Sequence, residues 1–250
     1  MLGAEGVVLR IYRCVLPTFT SDQQVMKRST LLDAAGNISL IVLCLVAVSL
    51  WLKRARTPVE QHTKRAEDTW HAEWRTLLSR GTLIGEATAP LQLIELGDYQ
   101  CPGCKGFHKV WSAASSRFGR AVALTYVHYP LEYHRFAFKA ATAAECAKRQ
   151  GRFAEMHEAL FADQDSIGKK SFESFADDVS VLDHESFRQC MATTDTLPII
   201  REGIAAGRAL KVPGTPTILV NGLMLGGPLS EGELFLLIEK VLAGTPPRRQ

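Results

Sequence analysis

The tetrapeptide Cys101-Pro102-Gly103-Cys104 places two thiols one helical turn apart, after an apolar run and at the start of a helical pattern. Two thiols at this spacing can close a disulfide and so carry two electrons. At a helix N-terminus, unpaired backbone N–H groups and the positive end of the helix dipole favour the thiolate of Cys101. Such surroundings lower a cysteine pKa from about 8.5 to between roughly 3.5 and 7.5, and the thiolate is the form that attacks a disulfide. The motif predicts a redox-active pair, with half of a zinc site as the alternative.

Composition narrows the class of protein only broadly. The chain has 250 residues, of which 46% are hydrophobic and 22% are charged, as in an ordinary globular protein. Its formal net charge is +3, and no long Lys/Arg block lies outside the flanks of one apolar segment and the C-terminal tail. We therefore predict no nucleic-acid partner. The six cysteines are too few for a disulfide-rich miniprotein.

Residues 34–52 contain no charged side chain and just reach the length of about 20 apolar residues that a membrane-spanning helix needs. Trp51 and the basic residues after it suit the membrane interface. A buried soluble helix and a removable signal peptide are the alternatives, and residues 47–49 make a poor cleavage site. We predict an uncleaved signal anchor, in which Cys44 is one more apolar residue and not a site of lipid attachment.

The segments on either side of this anchor are interpreted from their polarity. Residues 1–33 are predicted to form an N-terminal extension, disordered or cytoplasmic, and residues 53–82 a linker with a short amphipathic helix. Positive charges flank the anchor on both sides, but a long downstream domain translocates largely regardless of local charge. We expect a single-pass protein of the inner membrane whose C-terminal domain lies on the periplasmic side.

The remaining chain alternates between strand and helix patterns. The predicted elements are a strand over 91–96, a helix over 101–118, a strand over 121–129, helices over about 131–211, strands over 216–220 and 223–225, and a helix over 230–243. Asn221-Gly222 is a strong hairpin signal between the last two strands. This order is that of an α/β thioredoxin-like fold with an inserted helical domain, which we assign to residues 83–244, followed by a tail over 245–250.

Three stretches carry a resemblance to a known family. They are residues 85–108 (GEATAPLQLIELGDYQCPGCKGFH), residues 129–161 (YPLEYHRFAFKAATAAECAKRQGRFAEMHEALF) and residues 212–217 (VPGTPT). From about Leu83 to Ala243, the chain resembles the DsbA-like thiol-disulfide oxidoreductases. The resemblance implies a thioredoxin fold and an enzyme that needs no organic cofactor and no metal, because its cysteines carry the electrons.

The resemblance also implies roles for the residues of the motif. Cys101 is the nucleophile with the exposed side chain, and Cys104, more buried, resolves the mixed disulfide. Pro102 suits the first turn of a helix because it lacks an N–H that the helix would not use there. Gly103 departs from the family, whose best-known oxidising members carry a histidine there that helps to stabilise the thiolate. We therefore expect a less oxidising pair, and an inert disulfide staple is the alternative reading of the motif.

Two further site residues follow from the same resemblance. Glu95, six residues before Cys101, matches the family's buried acid, which can shuttle the proton of Cys104; a carboxylate on a solvated strand face is the alternative. Pro216 matches the family's cis-proline, which faces the nucleophile beside an extended substrate peptide. Thr215 precedes it, as in members that include isomerases and reductants. Pro102, Gly103, Thr215 and Pro216 are thus the predicted substrate contacts.

The other cysteines and histidines are given mostly structural roles. Cys146 and Cys190 fall in the helical insert, where some family members have a second disulfide, and two buried free thiols are the alternative. His108 could join the two motif cysteines around a metal ion, but no fourth ligand is apparent, so we predict no metal site. We expect Asp98 to be a turn or helix-start residue. Three histidines match family positions and are expected to serve the structure: His128, His134 and His157.

The predicted function is a membrane-anchored thiol-disulfide oxidoreductase that works outside the cytoplasm. Its predicted partners are exported proteins with thiols or disulfides and a membrane redox partner that resets the Cys101–Cys104 disulfide. We expect a monomer, because residues 53–82 are too short to hold the added dimerisation domain of known isomerases. The alternatives are a disulfide reductase or isomerase and, on the same fold, a metal chaperone or a peptide-binding module without enzymatic activity.

Overall fold

The computed structural model describes residues 45–49, 68–193 and 197–245. The chain divides into two compact units, with the boundary between His62 and Thr63. The first unit is described only at residues 45–49, which are helical. Within the described ranges, no helix is both long enough and apolar enough to cross a membrane.

Several sequence predictions fall outside the described residues. They concern the extension over 1–33, the anchor over 34–52 apart from residues 45–49, the linker over 53–67 and the end of the tail over 246–250. The following description concerns the second unit alone.

The second unit is built on a six-stranded sheet. Its strands are β1 (Thr69–Trp70), β2 (Thr82–Gly85), β3 (Leu91–Gly97), β4 (Val122–His128), β5 (Thr217–Val220) and β6 (Leu223–Met224). They lie in the order β1-β6-β5-β3-β4-β2. The central strands β3 and β4 are parallel, and all other neighbours are antiparallel. Every residue of β3 and β4 is buried, as expected for central strands that are covered on both faces.

The described helices account for the predicted helical insert. They are α1 (Pro102–Phe118), α2 (Ala137–Lys148), α3 (Phe153–Ala162), α4 (Phe172–Asp178), α5 (His184–Ala192), α6 (Leu197–Ala209) and α7 (Glu231–Leu242). Helices α2 to α6 occupy the range predicted for the insertion. The prediction of a thioredoxin-like α/β fold with a helical insertion is therefore confirmed.

Alternate side chains of β3 pack into different hydrophobic clusters on the two faces of the sheet. Leu91 and Leu93 belong to the core cluster that includes residues of α1 and α7. Ile94 and Leu96 belong to a cluster on the other face, with residues of α6 and of the short 3-10 helix Trp74–Arg80. Because successive strand residues point to opposite faces, Glu95 points to the face that α1 covers.

The folded unit begins earlier than the sequence analysis predicted. Strand β1 pairs with β6 at the edge of the sheet, and the 3-10 helix that follows buries Trp74 and Leu77 in the core. The short amphipathic helix predicted within residues 53–82 is present as this 3-10 helix, but from residue 68 onward the chain belongs to the folded unit and is not a linker. The apolar spacing there reflects packing into the sheet's own core, and the edge strand is stabilised by a partner far along the chain.

Two local predictions near the C-terminus are confirmed. Asn221-Gly222 forms the turn between β5 and β6, in which Val220 pairs with Leu223. Ser230 caps α7, and its side chain and that of Glu233 form a reciprocal capping box. Both features depend on residues close in sequence, which is why local patterns predict them.

Candidate active site

Helix α1 starts at the first cysteine of the motif. Cys101 is the N-cap residue, with an extended backbone (φ −76°, ψ 120°), and Pro102 follows it in the first turn. No side chain caps this helix start. As a thiol, Cys101 donates a hydrogen bond to the carbonyl oxygen of Thr215 at 3.2 Å. The nucleophile therefore lies between the free N–H groups of a helix and the loop before β5.

This environment favours the thiolate of Cys101. Its pKa is lowered from 9.0 to about 5, chiefly by the Cys104 thiol, which hydrogen-bonds the Cys101 sulfur. Thr215 and the backbone N–H groups of Cys104 and Gly103 act in the same direction, and burial opposes them. At neutral pH Cys101 is therefore ionised, which is the form that attacks disulfides.

Cys101 is less exposed than predicted, although it is more exposed than Cys104. Cys101 is 7% exposed and Cys104 is completely buried. The predicted order holds, but Cys101 is not an exposed residue, because the Thr215–Pro216 loop covers it.

The second cysteine is held as a thiol. Its sulfur accepts a hydrogen bond from the backbone N–H of Asp98 at 3.4 Å. Burial raises the pKa of Cys104 well above 9.0, and its hydrogen bond to Cys101 and the nearby charges of Glu95 and Cys101 add to the rise. The two sulfurs, one helical turn apart, thus have opposite protonation preferences.

The loop before β5 approaches the motif closely. The Thr215–Pro216 peptide bond is cis. A Cβ atom on Gly103 would lie 2.9 Å from Cδ of Pro216 and 3.5 Å from the Cys101 sulfur. The closeness of Pro216 therefore gives a steric reason for glycine at position 103, where the best-known oxidising members of the family carry a histidine. The predicted substrate contacts are all brought together around Cys101: Pro102, Gly103, Thr215 and Pro216.

Glu95 lies beneath the two cysteines and is only 1% exposed. This burial argues against the alternative of a solvated strand face. Burial also raises its pKa from 4.5 to about 8, which the nearby Cys104 thiol opposes and the charge of Cys101 reinforces. A carboxyl group that titrates near neutral pH beside the resolving thiol can give and take its proton.

Asp98 has a larger role than the turn residue that was predicted. Its carboxylate accepts a hydrogen bond from the backbone N–H of Gln100 at 2.7 Å, which is the expected turn. It also accepts from the N–H of Leu131 at 2.7 Å and from Nδ1 of His134 at 2.8 Å. Asp98 therefore ties the loop before α1 to the segment after β4, and His134 serves the structure through this contact.

Sequence reasoning missed Gln164 altogether. Its side-chain amide donates to the carbonyl oxygens of Tyr99 at 2.8 Å and Cys101 at 2.9 Å, so the helical insert fixes the backbone at the nucleophile. Gln164 lies in a 3-10 helix between α3 and α4, and its contact with the motif spans 63 positions. No local pattern signals such a contact.

Among the described residues, Cys146 and Cys190 form a disulfide, the pairing that the resemblance implied. Cys146 and Cys190 have an S–S distance of 2.01 Å and join α2 to α5. Cys101 and Cys104 are free.

Three buried histidines lie on different elements: His108 on α1, His128 on β4 and His157 on α3. His128 contacts Glu145, and His157 lies 3.1 Å from the hydroxyl of Tyr99 through Nδ1. His108 lies 2.9 Å from the carboxylate of Glu158 and stacks on Phe161. Over residues 45–49, 68–193 and 197–245, no group of three or more His, Cys, Asp or Glu side chains is placed to hold a metal ion.

Comparisons with known proteins agree with this geometry. The sequence matches the thioredoxin family over residues 78–240, and the chain therefore belongs to that family. The fold is similar to oxidised BdbD from Bacillus subtilis, with a TM-score of 0.60 and 21% identity over 67% of this chain and 95% of BdbD. It is also similar to α-DsbA1 from Wolbachia pipientis, with a TM-score of 0.57 and 21% identity over 66% and 92% of the two chains. These comparisons confirm the predicted thioredoxin-like fold and show membership of the thioredoxin family.

Curated relatives are similar over a part of their length only. The chain is 33% identical over 163 residues to the Na(+)/H(+) antiporter NhaA 1 of Mycobacterium sp. (strain KMS), covering 64% of this chain and 26% of the antiporter. A second relative, NhaA 3 of Salinispora tropica, is 34% identical over 152 residues, covering 60% and 23%. The chain spans about a quarter of the length of these relatives, and their transport activity is not carried over to it.

Proposed function

We propose that this protein is a membrane-anchored extracytoplasmic oxidoreductase that forms or exchanges disulfides in exported proteins through Cys101 and Cys104. One observation carries the proposal: two sulfurs one helical turn apart have opposite pKa shifts beside the Thr215–Pro216 loop. An ionised, reachable nucleophile and a protonated partner are what attack and resolution of a mixed disulfide require.

The proposed reaction begins with the Cys101–Cys104 disulfide. A substrate thiolate attacks the sulfur of Cys101, the disulfide breaks, and Cys104 leaves and takes a proton from Glu95. A second substrate thiolate then attacks the substrate sulfur of the mixed disulfide, and Cys101 leaves as a thiolate. The substrate loses two electrons and gains a disulfide, and the cysteine pair gains both electrons.

Two features bear on the direction of the reaction. A thiol of lower pKa is the better leaving group, and stabilisation of the reduced form makes a pair more oxidising. The pKa of about 5 at Cys101 therefore supports the oxidising direction. Gly103 and Thr215 favour a weaker oxidant by resemblance, but the thiolate draws its stabilisation from Cys104 and from the helix start.

The proposed setting follows the predicted organisation of the chain. Residues 34–52 anchor the protein in the inner membrane, residues 1–33 remain on the cytoplasmic side, and the thioredoxin-like domain faces the periplasm. Exported proteins dock as extended peptides beside Thr215 and Pro216, and a membrane redox partner restores the disulfide. The protein acts as a monomer without an organic cofactor or a metal.

The decisive measurement is the equilibrium of the Cys101–Cys104 couple against glutathione buffers, together with refolding of a reduced protein that needs disulfides. We expect a midpoint more oxidising than the roughly −270 mV of thioredoxin and faster oxidative refolding. A midpoint at or below that value, with insulin reduction in place of refolding, would assign the reductase alternative. A redox-silent pair that binds zinc or copper tightly would assign the metal-chaperone alternative.

The membrane setting has its own test. After reduction with a membrane-impermeant phosphine, a membrane-impermeant thiol reagent added to intact spheroplasts should label Cys101 in the full chain. Alkaline carbonate should leave the protein in the membrane fraction. Protection of Cys101 until detergent is added would reject the proposed orientation. Release by carbonate would reject the anchor.

A further inference from the structure

A row of buried polar side chains continues from Glu95 along the face of the sheet. On the parallel strands β3 and β4, Glu95 pairs with Tyr126 and Gly97 pairs with His128. Matching positions point to the same face, so the three side chains share one face. Oε1 of Glu95 and the ring of Tyr126 both lie within 2.9 Å of the point that a Cβ on Gly97 would occupy. Glycine at position 97 therefore allows the carboxyl group and the phenol ring to lie side by side.

The far end of this row is a buried hydrogen bond between a histidine and a carboxylate. Nε2 of His128 lies 2.9 Å from Oε1 of Glu145, and their side chains are only 1% and 7% exposed. Nζ of Lys148 lies 3.3 Å from the other oxygen of Glu145, and the Lys148 side chain is 42% exposed. Thr82 also donates to Glu145 at 3.1 Å. Glu145 thus joins a buried histidine to a cation in contact with solvent.

Between the two ends lie polar atoms that the fold leaves without partners. The Tyr126 and His128 rings are edge to face, with centroids 5.4 Å apart. Within the part of the chain that the structure describes, the buried Tyr126 hydroxyl and Nδ1 of His128 have no hydrogen-bond partner. Such atoms are rare in proteins, need an explanation, and are commonly bridged by internal water.

We propose that Tyr126, His128 and Glu145 form a proton path that connects Glu95 with the solvent at Lys148. This inference rests on the proposed function, because Glu95 must exchange a proton only if Cys104 reacts. When Cys104 attacks the mixed disulfide, a bond forms between the two cysteine sulfurs, the substrate sulfur leaves as a thiolate, and the Cys104 proton passes to Glu95. The path releases a proton to solvent and the leaving thiolate takes one up; the reverse reaction draws a proton inward.

The surroundings of Glu95 define the alternatives to this path. The groups that face Glu95 are Cys101 and Cys104 at α1, Tyr99 before α1 and Tyr126 from β4. At the other end of the path, His128 faces the carboxylate of Glu145 from α2. These groups leave a second route to solvent, through Tyr99.

The second route runs from Tyr99 through His157 and His108 to Glu158. Tyr99 lies 3.1 Å from Nδ1 of His157, and His108 lies 2.9 Å from Glu158, whose side chain is 60% exposed. The His157 and His108 rings are 5.3 Å apart, and Nε2 of His157 has no hydrogen-bond partner among the described residues. His157 also stays neutral, because burial lowers its pKa well below 6.5. We favour the route through His128 because both of its last contacts, from His128 to Glu145 and from Glu145 to Lys148, are direct hydrogen bonds of an ionised carboxylate.

The test compares Glu145→Gln with Glu158→Gln, the same chemical change at the end of each route. In stopped-flow experiments on the full chain, we expect Glu145→Gln to slow the release of a fluorescent substrate thiol by Cys104 about tenfold at pH 7. This loss is below the roughly 10²–10⁴-fold of a direct general base, because Glu145 acts through other groups. The first attack by Cys101 and the redox midpoint should be unchanged, and added imidazole, a small diffusible proton carrier, should restore most of the rate.

The outcomes separate this inference from the proposed function. The route through His128 would be overturned if Glu158→Gln slowed the release of the substrate thiol and Glu145→Gln did not. It would also be overturned if Glu145→Gln slowed this release and imidazole did not restore the rate. If Glu145→Gln fails to fold, Lys148→Met tests the solvent end by the same criteria. Cys101→Ser serves as the reference: if it retains thiol exchange, the proposed function fails, whereas its inactivity beside a normal Glu145→Gln rejects the proton path alone.

Discussion

The two cysteine pairs of this chain are similarly buried but chemically different. Cys101 and Cys104 are 7% and 0% exposed, and Cys146 and Cys190 are 1% and 3% exposed. The first pair is free and the second is a disulfide. Burial therefore does not decide which sulfurs react.

Position along a helix accounts for the difference. Cys101 precedes the first residue of α1, where free N–H groups favour a negative charge. Cys146 and Cys190 lie in the last turns of α2 and α5, where the carbonyl end of the helix disfavours a thiolate. The first pair also lies beside the cis-proline loop, whereas the second joins two helices of the insert.

The largest expected effect is on catalysis. Cys101→Ser should lower the rate of thiol–disulfide exchange by at least about 10³-fold, because the hydroxyl is not ionised at neutral pH and forms no disulfide. Replacing Cys146 and Cys190 together by alanine should leave the rate within about twofold. Insulin reduction and exchange with a fluorescent disulfide measure both variants. Equal losses in the two variants would show that the comparison between the pairs is mistaken.

The second expected effect is on stability, and here the Cys146–Cys190 pair matters and the reactive pair does not. The Cys146–Cys190 bridge spans a sequence separation of 44, and removal of a native disulfide costs about 2–5 kcal/mol. The Cys146→Ala/Cys190→Ala variant should lose this amount of unfolding free energy in urea, with the Cys101–Cys104 pair kept reduced in both proteins. A loss below about 1 kcal/mol would mean that α2 and α5 are held by packing alone.

The same contrast explains what the sequence could and could not predict. The motif, its helix, the hairpin and the cap of α7 depend on residues within a few positions of one another, so local patterns predict them. The roles of Glu95 and Pro216 came from family resemblance, because nothing in the local sequence around them specifies burial or a cis bond.

Contacts between distant segments were not predictable from patterns. Strand β1 was interpreted as linker, since its pairing with β6 depends on an edge formed near the other end of the chain. Gln164 binds the carbonyl of Cys101 from the insert, and Asp98 binds His134 across the sheet edge. The exposure of Cys101 was overestimated for the same reason, because the loop that covers it is distant in sequence.

The third prediction concerns pH and separates Glu95 from Cys101. The pKa of Glu95 is raised from 4.5 to about 8 by burial, so its contribution to stability is present below pH 4.5 and is lost as the pH rises through 8. The pKa of Cys101 is lowered from 9.0 to about 5, so its contribution grows as the pH rises from 5 to 9. In the reduced wild-type protein the two effects oppose each other between these limits.

Glu95→Gln removes one of the two opposing effects. Its unfolding free energy, relative to that of the reduced wild type, should increase by about 3–4 kcal/mol between pH 5 and pH 8. Urea unfolding at several pH values in a phosphine reductant measures this difference. A constant difference across the range would mean that Glu95 is ionised throughout and does not hold the proton of Cys104.

The smallest expected effect comes from a single methyl group placed on α1. In Gly103→Ala, the new Cβ would lie 2.9 Å from Cδ of Pro216, so the loop must move away from the motif and lengthen the contact of Cys101 with Thr215. We expect the pKa of Cys101 to rise by about half a unit, which is less than 1 kcal/mol. The ultraviolet absorbance of the thiolate, measured as the pH is varied, follows this pKa.

Gly106→Ala is the matched control, because it lies in the same helix and its Cβ would meet no atom within 4 Å. Alanine should stabilise the helix there by up to about 1 kcal/mol relative to glycine, and the Cys101 pKa should not change. If both variants raise the pKa equally, a general effect on α1 is responsible. If only Gly103→Ala does so, the closeness of the cis-proline loop is part of what keeps the thiolate of the reactive pair stable, a contact that the structural pair lacks.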